Sequence, residues 1–117
     1  IMTGNVNAND VYIRSDRRLK KNFVEVRDAL RKVSALTAYS YDKKQTLEAT
    51  EYDKKEVGLI AQDVEQVLPE AVTRVVDSSN KDGTEILTLS NSALIALLVG
   101  AVKELSEKVK ELEHGRT

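Results

Sequence analysis

Toward the C-terminus, apolar residues recur at Ile95, Leu98, Val102, Leu105, Val109 and Leu112, a 3, 4, 3, 4, 3 spacing that predicts one long helix from Ser90 onward. The spacing is a heptad seam. Ile95, Val102 and Val109 take the a positions and Leu98, Leu105 and Leu112 the d positions, while Lys103, Glu104, Glu107, Lys108, Lys110 and Glu111 cover the outside. Leu94, Leu97 and Val99 widen the apolar face at the N-terminal end, so the helix is expected to dock on its own domain there and to pair with other chains further on. Only three heptads are present, and an amphipathic helix packed solely on its own domain is the competing reading. Branched residues at a with Leu at d favour a parallel dimer by the peptide rules, so the seam supports an oligomer without fixing its number.

Upstream the pattern is shorter in period. Residues 1–14 are Asn-rich (Asn5, Asn7, Asn9) and close on Val11-Tyr12-Ile13, which reads as a loop and a short strand and looks like the end of something further upstream. Asn22 with Glu25 makes a capping box, and Phe23, Val26, Leu30 and Val33 follow at helical spacing, which predicts a helix from Asn22 to about Leu36. Thr37 to Tyr41 alternates as a strand, Asp42 to Lys55 reads as a solvated polar loop, and Glu56 to Ile60 as another short strand. Ala61, Val64, Val67 and Leu68 predict two turns of helix, stopped by Pro69. Val72–Asp77 and Thr84–Leu89 flank Ser78-Ser79-Asn80-Lys81-Asp82-Gly83, whose Asp-Gly step favours a hairpin. The fold class is therefore α+β: a small β-hairpin or sheet, short helices, and a long C-terminal helix suited to a coiled coil.

Length and composition narrow the chemistry. With 117 residues and one proline the chain has the length of a single domain. It has no cysteine, so thiol nucleophiles, disulfides and Cys-based zinc sites are excluded. The one histidine, His114, lies in a Glu-His-Gly-Arg-Thr tail, which makes imidazole catalysis a poor expectation. Eighteen basic and nineteen acidic residues are interspersed, which argues against nucleic acid or an anionic membrane as partner, and the longest apolar stretch, Ala93 to Val102, is far short of a membrane span. No signal peptide is expected in Ile1–Arg14. Four Tyr, one Phe and no Trp supply a thin core for a chain with 32% charged positions, a shortage that association would relieve.

One run stands apart: Ser15-Asp16-Arg17-Arg18-Leu19-Lys20-Lys21-Asn22. A serine beside a lysine can act as a nucleophile if the amine takes the hydroxyl proton. The plainer alternative is a helix N-cap with a first-turn acid. Residues five apart on a regular α-helix point about 140° from each other, so a working Ser15/Lys20 pair requires residues 15 to 20 to be a turn or loop. Asp63, Glu65 and the acids of residues 48–56 show no metal-ligand spacing, so no metal or cofactor is expected.

Four stretches taken together resemble a known family: Ser15-Asp16-x-Arg18-Leu19-Lys20, Tyr39-Ser40-Tyr41, Gly58-Leu59-Ile60-Ala61-Gln62-Asp63-Val64-Glu65-x-Val67-Leu68-Pro69, and Leu94-Ile95-x-Leu97-Leu98 running into Val102-Lys103-Glu104-Leu105. In this order they resemble the self-cleaving intramolecular chaperone at the C-terminus of phage tailspikes and tail fibres, a relative of which occurs in myelin-regulatory-type transcription factors. The resemblance spans residues 11–113. It implies a homotrimeric clamp in which the long helix forms a trimeric coiled coil, three fibre chains are brought into register in the host cytoplasm during virion assembly, and the clamp is then released from the fibre. It further implies Ser15 as nucleophile of a serine peptidase, Lys20 as general base, Asp16 and Arg18 as motif residues that order the loop, and cleavage at Arg14–Ser15, with residues 1–14 the end of the stem and 15–117 the processing domain. Lys21 adjoins Lys20 and stays open as the base. A non-catalytic trimerisation module, with Ser15 only a cap, is the alternative.

Overall fold

A computed structural model describes residues 6–76 and 82–115. It has three helices, α1 (Ala29–Ser34), α2 (Ala61–Val67) and α3 (Asn91–His114), and two antiparallel hairpins, β1 (Tyr39–Lys43) with β2 (Lys54–Gly58) and β3 (Val72–Val76) with β4 (Glu85–Leu89). Single 3₁₀ turns lie at Arg17–Leu19 and Pro69–Ala71. The α+β class is as expected. No helix among the described residues is long and apolar enough to cross a membrane.

The long helix forms where the heptad placed it, with Ser90 as N-cap: its Oγ accepts from the Ala93 N–H at 3.2 Å. Pro69 ends α2 and opens the following 3₁₀ turn. The β3/β4 hairpin pairs Val72 with Leu89 through Val76 with Glu85. Gly83 at φ 78° and Asp82, whose Oδ1 accepts from the Thr84 N–H at 3.0 Å, set the turn at the β4 end. The rest of that predicted turn, Ser78 to Lys81, lies outside the described residues.

Three expectations are corrected. Val11–Ile13 is not a strand; the three side chains are exposed, and no strand among the described residues pairs with them. The polar stretch from Asp42 to Lys55 is not all loop, because Asp42 and Lys43 belong to β1 and Lys54 and Lys55 to β2. Charge pairing across the strands allows this: Lys55 meets Asp42 at 3.3 Å and Lys43 reaches Glu56 at 3.4 Å, while Lys54, on the same strand as Glu56, meets it from the other side at 3.4 Å.

The third correction carries the architecture. The helix predicted from Asn22 begins seven residues later, at Ala29. Asn22 and Asp28 stand at φ 58° and 54°, left-handed conformations that end regular helix and that Asn and Asp tolerate better than other side chains. Asp28 offers no side-chain cap. Instead Glu104, on α3, accepts from the Ala29 N–H through Oε2 and from the Leu30 N–H through Oε1, both at 2.9 Å. A carboxylate at a helix start satisfies orphan donors and meets the positive end of the dipole.

One turn earlier, Gly100 lets α1 close on α3: a Cβ built there would lie 2.9 Å from the Ala29 Cβ. Ala29, Val64, Leu68, Ala71, Leu97 and Ala101 form the buried core among the described residues, rimmed by Leu30, Val33, Leu36, Leu59, Val67, Val72, Leu89, Ala93 and Leu94. Arg74 on β3 ties back to Glu65 on α2 at 2.8 Å. The core is small, and the chain's radius of gyration is 18.2 Å, against about 13 Å for a compact domain of about 100 residues.

Gly100→Ala is expected to destabilise the domain by about 1 kcal/mol or more. Forcing the helices apart costs roughly 1–3 kcal/mol, only partly offset by alanine's helix preference. Thermal unfolding at fixed protein concentration measures it, and an unchanged midpoint would contradict the close crossing.

The Glu104 carboxyl is held below its ordinary value, first by the Leu30 N–H, then by the Ala29 N–H, against an opposing effect of burial and of Asp28. A depressed folded pKa contributes stability that is fully present above the free carboxyl's value of about 4.3 and is lost as pH falls through the lowered one. Glu104→Gln should therefore flatten the acid limb of the stability profile, as read by urea unfolding between about pH 6 and pH 3.

Candidate active site

Ser15 ends an extended stretch, and the chain then turns once. Asp16, in β conformation, caps the Arg17–Leu19 3₁₀ turn: its Oδ1 accepts from the Arg18 N–H at 2.8 Å. Lys20 leaves the turn extended, at φ −127° and ψ 152°. That sequence of conformations breaks the regular helix in which residues 15 and 20 would diverge. Lys20 Nζ donates to the Ser15 Oγ at 2.6 Å. Of the two adjacent lysines it is Lys20 that reaches the hydroxyl. The helix-cap alternative is answered in part: an N-cap exists here, but it is Asp16.

Arg18 grips the same carboxylate from the side. Its Nε donates to Asp16 Oδ1 at 3.1 Å and its Nη2 to Oδ2 at 2.9 Å, a two-pronged planar contact. The Arg18 side chain and then its backbone N–H hold the Asp16 carboxyl below its ordinary value, and Asp16 in turn raises Arg18. Both groups are exposed, so the pair orders the loop more than it stabilises the fold. Arg17 lies over the Phe23 ring, 4.8 Å from its centroid, and links the turn to the chain beyond it. Sequence reading missed that contact, and nothing in the local pattern of residues pointed to it.

All residues from Val6 to Asp28 are exposed in the single chain, including Arg14, Ser15 and Lys20. Of the other acids, Glu65 pairs with Arg74, and Glu56 sits between Lys43 and Lys54. Among the described residues no three His, Asp or Glu side chains are grouped so as to hold a metal ion. His114 occupies the last turn of α3. The seam residues Ile95, Leu98, Val102, Leu105, Val109 and Leu112 are all exposed, from 46% at Val109 to 69% at Leu112. Their face is the one α3 does not use for its own core.

Residues 15–73 match the chaperone of endosialidase family, which also carries a peptidase designation, and the chain belongs to that family. It is 51% identical over 111 residues to the long tail fiber protein Gp37 of Enterobacteria phage Ox2, covering 94% of this chain and 43% of that protein. It is 38% identical over 97 residues to Gp37 of Escherichia phage AR1, covering 81% of this chain and 8% of that one. A myelin gene regulatory factor-like protein of Dictyostelium discoideum is 32% identical over 115 residues, covering 88% of this chain and 12% of that protein. The chain thus spans less than half the length of these relatives.

Proposed function

We propose that this chain is the intramolecular chaperone of a phage tail fibre or tailspike, and that it releases itself by autoproteolysis between Arg14 and Ser15. Residues 1–14 are then the end of the β-structured stem and residues 15–117 the chaperone domain, acting in the host cytoplasm during virion assembly. The contact of 2.6 Å between Lys20 Nζ and Ser15 Oγ carries the chemical part of this reading. The family match opening at Ser15 and the tail-fibre relatives support the biological part.

The step needs no bound substrate. Neutral Lys20 takes the hydroxyl proton as Ser15 Oγ attacks the Arg14 carbonyl carbon. The Arg14–Ser15 C–N bond breaks, the proton passes to the freed Ser15 amine, and an ester joins the Arg14 carbonyl to Oγ. Water then hydrolyses the ester, leaving an Arg14 carboxylate and restoring the serine hydroxyl. Asp16 and Arg18 keep the turn closed around the pair.

A homotrimer is the assembly proposed for the seam. Six apolar residues of one helix face stand open to solvent on a chain with a small core, and pairing copies along α3 removes that area from water. Trimerising helices also raise the local concentration of attached stem strands, whose non-local pairing is otherwise slow. Light scattering is expected to report three chains. Leu98→Asp or Leu105→Asp, which buries unpaired carboxylates in the seam at a cost of about 3–5 kcal/mol per chain, should abolish assembly, and a mutant that still trimerised would move the interface elsewhere.

Cleavage is read by intact mass and N-terminal sequencing. The wild-type chain should yield a product beginning at Ser15, with a rate that rises with pH because only a neutral amine accepts the proton. Ser15→Ala and Lys20→Ala should remain whole as trimers, while Lys21→Ala cuts almost normally. A product beginning at residue 15 from the Ser15→Ala chain would assign the cut to an outside protease and leave a structural trimerisation module.

A further inference from the structure

No residue between Val6 and Asp28 is buried, and the first buried residue in chain order among those described is Ala29. The segment holding Ser15 and Lys20 therefore takes its orientation from how Ala29 is held. Within the buried core, two contacts from α3 reach it: the Gly100 backbone, against which its Cβ packs, and the Glu104 carboxylate, which accepts its N–H and that of Leu30. The Val26 carbonyl oxygen lies 3.9 Å from a Cβ built at Gly100, so the chain approaching α1 also runs against α3. Leu97, Gly100, Ala101 and Glu104 make one face of that helix, and Leu98, Val102 and Leu105 another.

Between the anchor and the turn the backbone is constrained at Asn22 and Asp28, both left-handed, and by Arg17 stacked on Phe23. From this arrangement we infer that Glu104 is a positioning residue for self-cleavage, fixing the direction in which the Ser15–Lys20 segment leaves the helix that carries the seam. The inference rests on the self-cleavage reading above. Without the carboxylate, two N–H groups of a six-residue helix lose their acceptor, and so short a helix frays at that end. The segment beyond then swings free of α3, and the Ser15–Lys20 turn, although closed locally, loses its fixed placement against the helix that carries the seam.

The test compares wild type, Ser15→Ala, Glu104→Ala and Glu104→Gln, each as the full chain. It follows cleavage by intact mass over time, assembly by light scattering, and amide exchange at Ala29 and Leu30. Glu104→Ala is expected to remain a trimer, to exchange faster at both amides, and to cut about ten- to a hundred-fold more slowly. Glu104→Gln, which keeps one carbonyl oxygen as acceptor, should fall between it and wild type. If Glu104→Ala fails to assemble, Glu104→Gln decides alone: a Gln trimer cutting at the wild-type rate overturns the role, and a slower Gln trimer upholds it. Cleavage of the Ser15→Ala chain removes the self-cleavage reading and the positioning role together, an outcome distinct from normal cutting by both Glu104 variants.

Discussion

Ala29 and Leu30 present backbone N–H groups that have no acceptor within their own short helix, and Glu104, 75 residues further along, accepts the Ala29 N–H and, from its other oxygen, the Leu30 N–H. Much follows from that one long-range contact. It sets where α1 begins, and it brings α1 onto α3 at the point where Gly100 leaves room for Ala29. Leu97 and Ala101 are buried in the same crossing, against which Leu30 and Val33 pack. Neither helix would hold this arrangement alone: α1 is too short to be stable in water, and α3 has most of its surface in solvent.

Elements governed by local pattern were legible in the sequence. The long helix, the Ser90 cap, the α2–Pro69 stop and the Asp82-Gly83 turn each depend on residues within a few positions of one another. The start of α1 was not, because Asn22 and Glu25 spell a capping box, whereas the acceptor that decides the boundary sits on a different helix. Helical spacing at Phe23 and Val26 was likewise outweighed by left-handed residues at 22 and 28. Val11–Ile13 has strand composition, but a strand needs a partner, and composition does not supply one. At the site, the residue types and the need for a turn could be read; that Asp16 rather than Ser15 caps the turn, leaving the serine oxygen to the lysine, could not.

The chain divides its surfaces unevenly. One face of α3 closes the core with α1, the Pro69–Ala71 turn and their neighbours, and the adjoining face carries six exposed apolar residues. The β1/β2 hairpin contributes no residue to the buried core among the described residues, and it carries cross-strand charge pairs, Lys43 with Glu56 and Lys55 with Asp42. In the proposed trimer, a chain with so small a core of its own would gain stability by adding copies, since association enlarges the buried apolar area without lengthening the sequence.

Ser15 and Lys20 are separated by one 3₁₀ turn, so the loop that must close to bring them together is among the shortest a chain can make. Closing a loop of that size takes well under a microsecond and needs no distant contact. Under the self-cleavage proposed above, this has a consequence in time. The two side chains would meet before any hairpin or helix crossing had formed, so their proximity could not be the clock that delays cutting until a fibre has folded. Such a delay would have to reside in slower events that change what surrounds the turn, and these are the long-range contacts, which form last.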